Sequence, residues 1–85
     1  MKVGGRLMVK EKLKAKILEI VDNQININDP KCTKETLERL VNSGFSEIES
    51  KEMIGRVLIE EMYELLKNQV PFNEKRYAEK LSMLQ

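Results

Sequence analysis

Apolar and polar positions alternate along this chain with a helical period, and four segments carry that pattern. The strongest runs from Glu47 to Asn68. At 100° per residue, Ile54, Val57, Leu58, Met62 and Leu65 form one stripe. Glu61 interrupts it between Val57 and Leu65, where an aliphatic residue belongs. A buried carboxylate there must be paired, hydrogen-bonded or protonated, because a bare one costs roughly several kcal/mol. The same helix carries a second apolar set on another face, Ile59, Tyr63 and Leu66. A helix apolar on two sides is either central in its own fold or completed by another chain.

The other three helices follow from their punctuation. A first helix over residues 7–23 places Val9, Leu13, Ile17, Ile20 and Val21 on one face. Gln24 to Asp29 reads as a coil connector in which Ile25 and Ile27 alternate inward. A second helix over 30–43 opens at Asp29-Pro30, with Asp29 as N-cap, Pro30 in the first turn and Thr33 as a rival cap. Leu37, Leu40, Val41 and Thr33 give its inner face, and Gly44 stops it as a left-handed residue. Ser46 and Glu49 form the capping box of the third helix, over 47–68. Gly55 within that helix predicts a close helix crossing, a kink being the alternative. Val70-Pro71 breaks the pattern. Asn73 then caps a fourth helix over 74–84, with Phe72 and Tyr77 at staple positions and Tyr77, Leu81 and Leu84 facing inward. The expected fold is all-α, a small four-helix bundle-like or orthogonal domain spanning residues 1–85, with the third helix as its strut.

Eighty-five residues support one domain, which buries only roughly 60–65% of its unfolded surface. The core must therefore be economical or completed by a partner. Net charge is +1, but residues 1–20 carry +4 and residues 47–66 carry −4. Two readings stay open. The basic first helix lies near the acidic third one, or it forms a basic arm for an anionic partner. Lys10, Lys12, Lys14 and Lys16 are the candidate phosphate contacts, though alternate positions wrap them around a helix. Gly4-Gly5 marks residues 1–6 as a frayed leader, and Met8 offers an alternative start. No signal-peptide core and no span of about 18 apolar residues exists, so a cytoplasmic location is the default expectation.

Few chemistries remain open. The chain has no His and one Cys, Cys32. That excludes histidine-dependent acid–base or triad catalysis and an intramolecular disulfide. Zinc would lack both imidazole and a thiolate cluster. The four glycines are scattered and form no phosphate loop. Glu60, Glu61 and Glu64 are the one dense carboxylate group, but a di-iron site on such a helix needs Glu-x-x-His. No catalytic, cofactor-binding or metal-ligating residue is identified, and neither an enzyme nor a cofactor is expected. Glu61 instead calls for a cation, with Arg76 preferred and Arg56 and Arg39 as runners-up. A helix-turn-helix reading of the second and third helices fails because the recognition helix would carry −4 toward phosphate.

Two resemblances are local. Leu37-x-x-Leu40-Val41-x-x-Gly44-Phe45-Ser46-x-x-Glu49 is similar to the first helix and loop of ubiquitin-associated-type three-helix domains, with Ser43 where those have Met. A longer span, about residues 29–84, resembles a family of small bacterial helical domains of unknown function. Its pattern is matched by Asp29-Pro30, Leu40, Gly44-Phe45-Ser46, Glu60-Glu61-Met62-Tyr63, Pro71-Phe72 and Arg76-Tyr77. The resemblance implies these helix boundaries and a special place for Glu61 and Arg76; it implies no activity. The function expected is non-enzymatic protein interaction through Ile59, Tyr63 and Leu66, with another protein or a second copy of the chain. The alternative is a nucleic-acid accessory protein that touches phosphates through the first helix, which the wrapped lysines and acidic third helix disfavour; no membrane partner is expected.

Overall fold

The computed structural model describes residues 2–84, with side chains from Lys12 onward. Four helices follow in order: α1 (Lys2–Ile27), α2 (Lys31–Asn42), α3 (Glu47–Asn68) and α4 (Glu74–Ser82). Among the described residues there is no strand, and no helix is long and apolar enough to cross a membrane. The fold is all-α, as the periodicity predicts. α3 packs against all three other helices. Its stripe supplies Ile54, Val57 and Leu58 to a core completed by Ile17 and Val21 of α1, Leu40 of α2, and Tyr77 and Leu81 of α4. Met62 and Leu65 lie at the margin of that core, half-buried.

Helix ends show why the chain turns where it does. The Ser46 side chain accepts from the Glu49 backbone at 3.0 Å, and Glu49 accepts from the Ser46 backbone at 3.0 Å. This reciprocal box satisfies two of the first-turn donors of α3. Those hydrogen bonds to Ser46 hold the Glu49 carboxyl below its ordinary range. Gly44, at φ 109°, turns the chain out of α2. Its N–H reaches Val41 O at 3.1 Å, and the Phe45 N–H reaches Leu40 O at 3.1 Å, which is a Schellman closure. Asn73 accepts from the Arg76 backbone at 2.9 Å, and the Phe72 and Tyr77 rings meet edge-on at 5.4 Å.

The first connection departs from expectation. α1 does not stop at residue 23; it continues through the supposed coil to Ile27. Asn28, at φ 55°, is the left-handed residue that ends it, and Asp29 N–H closes on Gln24 O at 3.0 Å. Asn tolerates that conformation better than most side chains. Within this last turn Ile25 packs on the core and Ile27 is exposed, so the two isoleucines are not both inward. Neither expected cap holds α2. Pro30 occupies the cap position without a side-chain bond, Asp29 precedes it, and Thr33 is buried within the first turn. Val41 is exposed, and Thr36 takes its place on the inner face of α2. α4 ends at Ser82 rather than 84, yet Leu84 still packs against the core. The side chains of residues 1–11 lie outside the described residues. That applies to Val9 and Lys10; the backbone is helical from Lys2, so α1 also begins ahead of the start expected at residue 7, within the span expected as a leader.

Two features of these ends yield measurable consequences. Gln69 closes α3 at φ 52°, a conformation that a side chain with a Cβ adopts at a cost. Gln69→Gly is expected to raise stability by about 0.5–1 kcal/mol, read as a higher urea midpoint at unchanged slope. At the other end of the fold, the Arg39 guanidinium donates to Leu84 O at 2.7 Å and to Leu81 O at 2.8 Å. It ties two carbonyls at the end of α4 with both arms of its fork. Arg39→Ala is expected to cost about 1 kcal/mol, and Arg39→Lys should recover little of it because a point charge cannot span both carbonyls. Full recovery by lysine in a thermal melt would refute the two-armed role.

Candidate interaction site

Three constellations stand out once the helices are in place. The first is at Glu61, which is only 2% exposed. Arg76 Nε donates to Glu61 Oε1 at 2.9 Å. Lys80, one turn further along α4, puts Nζ 2.9 Å from Oε2 as an ion pair, off the line of a well-formed hydrogen bond. Lys80 also lies 3.4 Å from Glu60 on the surface. Burial on its own pushes the Glu61 pKa up, but Lys80 and Arg76 together outweigh it and hold the carboxyl below its usual range. Glu61 in turn holds the Lys80 ammonium above its usual range. The structure thus brings Glu61 and Arg76 together and adds Lys80, which sequence reasoning missed. The signal was present: Lys80 stands four residues after Arg76 and shares its helix face. The runners-up lie elsewhere, Arg39 at the end of α4 and Arg56 on the exposed side of α3.

The second constellation is a buried polar trio. Thr33 Oγ1 and the Tyr77 hydroxyl both donate to Gln24 Oε1, at 2.8 and 3.1 Å. Tyr77 is fully buried, and that burial pushes its phenol pKa up to about 12. Both hydroxyls donate to one amide oxygen, so the trio pins the end of α1, the start of α2 and α4 to one another. Sequence reasoning missed it, since its members stand far apart in the chain and each has a local explanation. Cys32 lies beside it, half-buried, with burial and then Glu74 raising its thiol pKa, the reverse of an activated nucleophile.

The third constellation is the outer face of α3. Ile59, Tyr63 and Leu66 are 38%, 64% and 74% exposed. Lys67 lies over the Tyr63 ring at 5.9 Å. Toward the start of the helix the face runs into a groove between α1 and α3 of about 350 Å³. Leu13, Ile17, Leu18, Gly55 and Ile59 give it an apolar floor, and Lys14, Glu52 and Arg56 rim it. Leu13 is half exposed there, not part of the core as its phase on α1 suggested. The floor exists because the helices cross closely: a Cβ built on Gly55 would lie 3.0 Å from Ile17 Cγ2. α3 runs as one helix through Gly55, which stands at that crossing.

Two of the three basic residues of α1 whose side chains are described meet carboxylates. Lys14 pairs with Glu52 at 2.6 Å across the groove rim, and Lys16 lies 3.5 Å from Glu19. Lys12 is exposed, and the side chain of Lys10 lies outside the described residues. A reversed pair, Lys51 with Asp22 at 2.7 Å, ties the same two helices and raises the Lys51 pKa. No family model, no curated protein and no solved structure matches this chain.

Proposed function

We propose that the protein is a non-enzymatic interaction domain that binds another protein chain through the outer face of α3. One observation carries this reading. α3 already buries Ile54, Val57, Leu58 and Glu61 on its inner side, yet presents Ile59, Tyr63 and Leu66 to solvent on the other. Water-exposed apolar side chains aligned on one helix, next to an apolar groove, have the shape of a partner site. Tyrosine is among the residue types enriched where a few positions dominate the binding energy of such sites.

The competing reading, phosphate contact through α1, is less well supported. Two of the three lysines described there, Lys14 and Lys16, are committed to carboxylates within the chain. The test is a tagged pull-down from host lysate with and without nuclease. A protein captured by the native chain, retained after nuclease and lost with Tyr63→Ala/Leu66→Ala, supports the interaction reading. Captured material that disappears with nuclease and is indifferent to that double variant transfers the function to α1. Both residues are exposed, so the variant should melt at the native temperature.

A further inference from the structure

We infer that the partner fitted by this face is a second copy of the chain, with α3 packed antiparallel to its twin about a two-fold axis beside Ile59. The inference rests on the interaction reading above and gives it an occupant.

Self-complementarity is the first argument. A two-fold interface uses one patch twice, so the patch must hold both a knob and its hole. Here the groove over Gly55 is the hole, and Leu66 is the most exposed apolar knob on the same face. They lie eleven positions apart on α3, about 16 Å along the helix at 1.5 Å per residue. With the axis between Ile59 and Glu60, each Leu66 lies level with position 53 of the other copy, at the Glu52–Gly55 end of its groove. Gly55, Glu52 and Arg56 border the place where it enters.

Charge complementarity fixes the same register. With Ile59 beside the axis, Lys67 faces Glu52 of the second copy, and Tyr63 faces Arg56 of the second copy. The first is an opposite-charge pair at each edge, and the second is a cation over an aromatic ring. Both occur twice by symmetry. Shifting α3 by one turn either way separates both pairs. Glu60, the nearest carboxylate to the axis, is drawn aside toward Lys80.

The experiment is sedimentation equilibrium of the full chain from about 1 µM to 1 mM. The expected result is a mass that rises from the 9.9 kDa monomer toward twice that value. Leu66→Asp should weaken association by roughly 30-fold or more, while its melting temperature in dilute solution stays native. Register is read by disulfide trapping in a Cys32→Ser background. Ile59→Cys should form a covalent dimer readily and Leu66→Cys poorly, because only position 59 meets itself at the axis. A monomer at every concentration overturns the dimer; the pull-down with Tyr63→Ala/Leu66→Ala then decides separately whether the interaction reading survives. A dimer indifferent to Leu66→Asp, or trapped better at 66 than at 59, overturns this interface.

Discussion

Glu61→Ala is expected to destabilise the fold by about 3 kcal/mol, against less than about 1 kcal/mol for Glu60→Ala or Glu64→Ala. The difference follows from position. Glu60 and Glu64 lie on the outer flank of α3, and each makes one exposed contact, with Lys80 and Asn68 respectively. Glu61 is buried and joins α3 to two successive turns of α4. Its removal leaves a void and unties α4. Arg76 and Lys80 are both partly exposed and can turn outward to water, which keeps the loss from being larger. For that reason Glu61→Leu, which refills the space, is expected to cost about half as much as alanine. The pH dependence has a definite sign. The folded carboxyl ionises below its unfolded value, about 4.3. Its contribution is therefore complete above that pH and is lost as pH falls through the lower folded value. The native protein should lose stability on acidification more steeply than Glu61→Leu. Equal urea midpoints for the three alanine variants, or identical acid limbs for native and leucine proteins, would remove Glu61 from its special place.

Gly55→Val is the second large effect, an expected loss of about 3 kcal/mol. Even a methyl group at this position meets Ile17 Cγ2 at 3.0 Å. Ile17 is buried and β-branched, so its side chain has little rotameric room to yield. For Gly55→Ala, relief of glycine's helix penalty returns about 1 kcal/mol, and crowding removes about 1–3. The net expectation is a loss of about 1 kcal/mol. Valine adds two methyl groups at the same contact and has lower helix propensity, so the crowding dominates. A double-mutant cycle checks the cause. In an Ile17→Ala background, Gly55→Val should cost less than in the native chain by over about 1 kcal/mol. Strict additivity would place the damage somewhere other than this crossing.

What could be read from sequence divides by distance along the chain. The Ser46–Glu49 box, the Gly44 closure and the Asn73 cap each involve partners within about five residues, so short motifs encode them. The Glu61–Arg76 contact was reachable for another reason: a carboxylate on an apolar stripe demands a cation, and few arginines were available. That demand does not by itself call for Lys80, because a single arginine already balances the charge of Glu61. The end of α1 was misplaced because the Ile25/Ile27 alternation resembles extended chain, while the stop signal, Asn28 before Asp-Pro, resembles a turn. Gln24, Thr33 and Tyr77 were invisible as a group. Nothing local marks a glutamine as the acceptor for a tyrosine 53 residues later. Leu13 marks a limit of phase arguments. Its position on α1 is inward by period, but close approach at Gly55 leaves it on the rim of a groove.

The attachments of α4 also bear on how the molecule comes apart. Nine residues are too few to hold a helix in water alone, since isolated helices shorter than about 12–15 residues are marginal. α4 exists as a helix because Asn73 starts it, Glu61 and Gln24 grip its side chains, and Arg39 closes its end. Its coiling and its docking are thus a single event. Native-state amide exchange should show its backbone hydrogens opening together, at one shared free energy below that of global unfolding. Release of α4 would expose the Gln24 and Thr33 dipoles and the Glu61 charge at once, so no half-docked form has reason to accumulate.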